Sequence, residues 1–203
     1  MKPRLYIDQK ITMLVNRYVV YGADANGAKT ATLWSLAQQK RLAFKEKVRF
    51  YGDQEKTNEI YSFRAEKVID IHGRFFVEGP QGELIGMFKK KFTESLAVST
   101  WVMQDISGNE RFIIRESNLA VALLRRYIGW LPFIGEIAEL VMLFFKYHFE
   151  FIDVATGAKV GKYYKVTLFR DQYVLEMTDD AFNSTDWRTL VSMGVALDAL
   201  QSR

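Results

Sequence analysis

Apolar and polar positions alternate along most of this chain, and the alternation breaks in two places. YIDQKITML (Tyr6 to Leu14), VRFYGD (Val48 to Asp53) and NEIYSFRAEKVIDI (Asn58 to Ile71) carry the period-two or β-branched patterns of half-buried strands. Between such runs a unit recurs: an aromatic-rich strand, then a turn closing on glycine. It reads RYVVYGADANG (Arg17 to Gly27), RFFVEGPQG (Arg74 to Gly82), STWVMQDISG (Ser99 to Gly108) and FEFIDVATG (Phe149 to Gly157). Asp, Asn or Pro followed by Gly gives a tight hairpin the positive φ it needs. Gly82 to Met103 and Gly157 to Met177 also share a plan, with Gly86 and Gly161 at matching places ahead of a lysine-bearing strand. The pattern predicts about a dozen strands.

The first break is TDWRTLVSMGVALDAL (Thr185 to Leu200). From Leu190 to Leu197 its only polar side chain is Ser192. A helix that is apolar all round must be enclosed by protein or lipid, and this one is shorter than the roughly 20 residues a bilayer core demands. With strands ahead of it, the expected enclosure is a β-barrel wrapped around its own C-terminus. The second break, Ser117 to Phe149, is rich in Leu and Ala, and Leu131-Pro132 between Gly129 and Gly135 reads as the elbow of a helical hairpin. Glu136 and Glu139 interrupt its apolar run and disfavour a membrane-spanning helix. The hairpin either packs on the barrel or offers Trp130, Phe133 and Phe144 to a membrane or partner.

Composition narrows the picture. The 203 residues suffice for one well-buried core, and fifteen Phe, ten Tyr and four Trp against three Pro favour strands over linker. The lack of Cys removes a disulfide framework, a thiolate metal site and a Cys nucleophile together. The chain does not open as a secretory signal, so the expected compartment is the cytoplasm, with a peripheral membrane association as the alternative. A net charge of +4 is mild, and without a recognition helix or RNA-stacking signature it disfavours nucleic acid.

Candidate chemistry is sparse. Asp24-Ala25-Asn26-Gly27 resembles part of a calcium loop but lacks its later acidic ligands, so a hairpin turn is expected. GADANGAKT (Gly22 to Thr30) approaches a phosphate-binding loop, yet Ala28 displaces Lys29 and strand-like residues follow. His72 and His148 are not spaced as local metal ligands, and Ser192 lies inside the apolar helix rather than on an exposed elbow. Asp70 or Asp105 could act as an acid or base, though nothing in the sequence pairs either with a partner. No cofactor is implied. Basic residues cluster at Lys40-Arg41, at Lys45 and Lys47, at Lys89-Lys90-Lys91, and at Arg125-Arg126. On a strand Lys90 would face away from Lys89 and Lys91. Converging on one face, such cations could hold phosphate head groups. Asp179, Asp180 and Asp186 precede the last helix, where Ser184, Thr185 or Asp186 can cap it and a weak cation site is conceivable.

KRLAFKEKVRFYGD (Lys40 to Asp53), SFRAEKVIDIHGRFFVEGPQGELIG (Ser62 to Gly86) and DWRTLVSMGVALDALQSR (Asp186 to Arg203) resemble the LURP-one-related family, whose fold is shared with the tubby C-terminal domain and the phospholipid scramblases. The resemblance covers nearly the whole chain outside Ser117 to Phe149. It implies a twelve-stranded antiparallel barrel threaded by its C-terminal helix. Tubby-like domains bind phosphoinositides through basic barrel residues, and scramblases carry an acidic calcium-binding stretch before the last helix. Here Asp179, Asp180 and Asp186 depart from the scramblase spacing, and no basic residue maps onto a phosphoinositide ligand.

The sequence therefore predicts a single barrel domain over 1–203, with a helical hairpin insert at 117–149 and a buried helix at 185–201. The expected function is non-enzymatic binding of anionic phospholipid head groups or of a protein partner. The contact candidates are Arg125, Arg126, Trp130, Phe133, Lys89, Lys90 and Lys91. The alternatives are an enzyme of unrecognised type built on the barrel, or a purely structural protein.

Overall fold

A computed structural model of the chain describes residues 2–11, 15–40, 47–66, 73–91, 100–116, 148–167 and 171–201. Twelve strands run in sequence order: β1 Arg4–Ile11, β2 Val15–Ala23, β3 Lys29–Lys40, β4 Val48–Tyr51, β5 Glu59–Ala65, β6 Arg74–Glu78, β7 Leu84–Lys90, β8 Thr100–Gln104, β9 Glu110–Glu116, β10 His148–Asp153, β11 Lys159–Lys165 and β12 Asp171–Met177. Two helices follow, α1 Asp179–Asn183 and α2 Trp187–Gln201. Every strand pairs antiparallel with its neighbours in sequence, and β12 returns to β1 along a seam from Arg4↔Glu176 to Gln9↔Asp171. The sheet is a closed barrel, so none of the described strands is an edge strand, and the shortest seam is β3–β4, paired at Leu36↔Tyr51 and Ala37↔Phe50.

Strand alternation places the turns after β2, β4, β6, β8 and β10 at one end, where β12 also finishes and α2 begins. We call this the hairpin rim. Its turns are built by a local device. In the β8–β9 turn Asp105 Oδ1 accepts from the N–H groups of Ser107 and Asn109 at 2.9 Å each, and Gly108 takes φ 87°. The β2–β3 turn does the same with Asp24 and Gly27, φ 79°, so the calcium-like fragment is a hairpin turn, as its missing ligands implied. The GADANGAKT stretch likewise resolves into that turn and the start of β3. Connections at the opposite end lie wholly or partly outside the described residues. These include 117–147, and with them Arg125, Arg126, Trp130 and Phe133, and also His72 and Asp70.

Inward residues of the strands meet α2, whose Leu190, Val191, Met193, Val195, Ala196 and Leu197 are all fully buried. Aromatic rings fill the space between helix and wall: Phe75 stacks on Phe88 at 5.1 Å, Phe88 meets Phe63 at 5.7 Å, and Phe50 stacks on Tyr61 at 4.2 Å. Trp187, the first residue of α2, sits edge-on to Trp34 at 5.0 Å and Tyr61 at 5.5 Å. Close approach has a requirement at Gly194: a Cβ there would stand 3.0 Å from the Tyr163 ring. Ser192 is fully buried among these groups, which fits packing rather than nucleophilic chemistry.

The boundaries differ from the sequence reading in three places, the first being that β10 begins at His148, inside the 117–149 span expected of the helical insert. The helix expected from residue 185 starts at Trp187 because Asp186 is its cap: Asp186 Oδ1 accepts from Arg188 N–H at 2.9 Å, and its carbonyl accepts from Thr189 N–H at 3.0 Å. Asp179 and Asp180 belong to a separate short helix, α1, capped by Thr178. No helix among the described residues is long and apolar enough to cross a membrane.

Candidate functional site at the hairpin rim

The hairpin rim carries a repeated dipeptide. Glu83-Leu84, Asp105-Ile106 and Asp153-Val154 stand on the β6–β7, β8–β9 and β10–β11 hairpins, which are consecutive around the barrel. In each pair the acid knits its own turn. Glu83 Oε2 accepts from Gln81 N–H at 3.1 Å, Asp105 accepts as described above, and Asp153 Oδ1 accepts from Thr156 N–H at 2.8 Å. These hydrogen bonds, led by those from the Asn109 and Thr156 side chains, hold the Asp105 and Asp153 carboxyls below their usual range. The aliphatic residue that follows is turned outward, with Leu84 38%, Ile106 62% and Val154 41% exposed. Hairpin turns ordinarily use small polar residues there. Lone exposed aliphatics are common on proteins, but here Leu84 begins β7 and Ile106 follows β8, neighbouring strands roughly 5 Å apart, and Val154 follows β10, two strands or roughly 10 Å further on, so the three form a shared face.

A cavity of about 130 Å³ opens beside this face, between Ile85, Gly86, Gln104, Ile106, Arg111 and the α1–α2 corner at Ser184 to Thr189. Its size is that of about four waters. Arg111 donates to Ser184 Oγ at 3.3 Å, joining β9 to the corner, and Val154 N–H donates to the Arg111 carbonyl at 3.0 Å, joining the third hairpin to the second. In the same wall the buried Gln104 donates through Nε2 to the Gly108 carbonyl at 2.8 Å, leaving its Oε1 without a protein donor.

The acidic candidates do not assemble into a cation site. Asp186 is engaged by Arg188 through both oxygens, at 2.9 and 2.7 Å. Asp179 and Asp180 open α1, and among the described residues no group of three His, Cys, Asp or Glu is placed to hold a metal. Titrating calcium while following thermal unfolding should leave the transition unmoved. A rise with calcium concentration would reveal a site through binding linkage.

The lysine triplet divides as the strand pleat predicts. Lys89 and Lys91 both reach Glu110 on β9, at 3.3 and 3.4 Å, while Lys90 lies over the Trp101 ring at 5.8 Å. Burial pushes the Glu110 carboxyl up, but the two ammonium groups outweigh it and hold it below its usual range. Two of the three cations thus share one carboxylate, which offsets one of their two charges. Lys47 is near Glu59 at 3.7 Å. His148 begins β10 and stacks on Tyr164 at 5.8 Å, an ordinary strand position.

Sequence reading missed Asp198. It sits on α2 with 3% exposure, its Oδ2 accepting from the Tyr18 hydroxyl at 2.9 Å and its Oδ1 from the Tyr173 hydroxyl at 2.6 Å. One signal was present in the chain: Asp198 lies four residues after Gly194 and seven after Val191, on their face of the helix. Its partners are 180 and 25 residues away, beyond the reach of local pattern.

No family model matches the chain, and none of the curated proteins compared with it matches. Its class is accordingly stated by architecture: a twelve-stranded antiparallel barrel closed around its own C-terminal helix.

Proposed function

We propose that this protein is a non-enzymatic binding module of tubby-like plan, and that it binds a protein partner through the three-hairpin face at its rim. The observation that carries this reading is the acid–aliphatic repeat at Glu83-Leu84, Asp105-Ile106 and Asp153-Val154. The barrel interior is committed to α2, which leaves the outer wall and the two rims for contact. At this rim the exposed apolar side chains are bordered by carboxylates, so the complementary occupant is an extended apolar segment bearing Lys or Arg. An anionic membrane would meet the carboxylates of Glu83, Asp105 and Asp153 here, with Arg111 as the cation beside the last two. The lipid reading draws instead on the basic clusters, of which Lys89 and Lys91 are shared with Glu110.

The test uses methyl NMR with two synthetic peptides of one apolar pattern, one with interspersed lysines and one with glutamates. Sedimentation with vesicles of phosphatidylcholine, alone and with phosphatidylserine, runs alongside. The lysine peptide should shift the methyls of Leu84, Ile106 and Val154, and the glutamate peptide should not. Leu84→Lys with Ile106→Lys should abolish the shift at the remaining Val154 methyls and leave melting almost unchanged, since exposed substitutions alter stability by about 0.5 kcal/mol or less. Sedimentation with the anionic vesicles, without peptide response at the three methyls, would overturn the partner reading in favour of lipid.

A further inference from the structure

Asp198 is the one described carboxylate of α2 inside the barrel, and the rim reading makes no use of it. α2 runs from the hairpin rim toward the opposite end, and its last turns carry Asp198 to the seam where the barrel closes. Three consecutive strands converge on it there. Tyr18 comes from β2, Tyr173 from β12, and between them Gln9 of β1 donates through Nε2 to the Tyr18 hydroxyl at 3.2 Å. Because that hydroxyl accepts from Gln9, its own proton is directed at Asp198, so Gln9, Tyr18 and Asp198 form a directional relay. A leucine would pack the same space without needing partners. A carboxyl placed here costs several kcal/mol unless its oxygens are satisfied, as they are.

We propose that Asp198, Tyr18 and Tyr173 form a proton-operated latch that fastens the end of α2 to the barrel seam and loosens when the carboxyl ionises. Asp198 is the member of the latch that changes charge. Burial drives both tyrosine hydroxyls far above their usual value, with the nearby Asp198 adding to it, so they remain donors. Burial likewise raises the Asp198 carboxyl, and the Tyr173 and Tyr18 hydroxyls only partly pull it back. The other groups facing it are Asn16 from β2, Tyr163 and Lys165 from β11, and Asp171 from β12. Lys165 and Asp171 are ion-paired to each other and pull the carboxyl in opposite directions. An unfolded aspartate titrates near about 3.9. With the folded value raised above that, the latch's contribution is complete below about pH 4 and is lost as pH climbs through the folded value. Above it, an ionised carboxylate stays in the core and favours openings of the last turn of α2 that bring it to water.

Two measurements test this. Carbon-detected NMR of the Asp198 carboxyl in the wild-type chain should show a midpoint clearly above that of an ordinary aspartate. Hydrogen exchange of the 195–201 amides, corrected for intrinsic rates, should show protection falling about tenfold for each unit by which pH exceeds that midpoint. In Asp198→Asn, which keeps the shape, removes the titrating group and turns one of the two acceptors into a donor, the same amides should hold pH-independent protection. An Asp198 midpoint at or below the ordinary value overturns the latch even if the asparagine variant fails to fold. So does an asparagine variant that keeps the wild-type pH profile. Neither measurement involves the rim or its partner.

Discussion

Replacing Leu197 by aspartate is expected to leave the chain unable to fold cooperatively. Leu197 is fully buried inside the ring formed by the strands, one residue before the carboxyl that already occupies the tyrosine donors. A second carboxyl there would lose its hydration without a matching partner, at several kcal/mol, against a total domain stability of about 5–15 kcal/mol. Urea unfolding followed by far-ultraviolet circular dichroism should show no native baseline, and the protein should collect in the insoluble fraction. A soluble Leu197→Asp chain with a sharp transition would mean that α2 is not the core. Removing residues 186–203 should act the same way, since the strands would close on an empty interior.

The second large effect is expected at Phe88. Its ring is fully buried and touches three others: Phe75 stacked at 5.1 Å, Phe63 at 5.7 Å and Trp101 at 6.3 Å. Phe88→Ala removes the centre of this cluster, and walls made of β-sheet and α2 cannot collapse far into the gap. Such truncations cost about 3–5 kcal/mol, and at about 2–4 °C per kcal/mol in a chain of this size the melting temperature should fall by roughly 6–20 °C. Met87, the next residue back, faces the other side of the strand and leaves this cluster intact. A drop at Phe88→Ala of only a degree or two would show that the aromatic cluster tolerates voids.

Local chemistry made much of the barrel legible. Asp24 to Gly27 and Asp105 to Gly108 announce their hairpins because a turn needs a positive φ and an acceptor for its own N–H groups, and both are supplied within five residues. The enclosed helix was equally readable, since no surface would tolerate Leu190 to Leu197. What stayed hidden is set by contacts between distant residues. Asp198 went unread, because its hydroxyl partners come from β2 and β12. The rim face was hidden for another reason: Glu83-Leu84, Asp105-Ile106 and Asp153-Val154 lie 22 and 48 residues apart, and only the pairing of β7 with β8 and of β9 with β10 makes their hairpins neighbours. Asp179, Asp180 and Asp186 show the converse, a suggestive acidic run that the fold parcels out to a short helix and a cap.

The seam between β1 and β12 also sets the order in which this molecule can be made. Translation delivers eleven strands before the one that closes the ring, and only afterwards the helix that fills it. Until α2 leaves the ribosome, Phe50, Phe63, Phe88 and Trp101 have no helix to face, and β1 waits with an open edge for a partner more than 160 residues downstream, as the Arg4–Glu176 contact measures. Loop closure over such a span is slow, and exposed edges and apolar faces in the interval invite association with other chains. The ring therefore cannot close before β12 is made, and its core cannot fill before α2 follows.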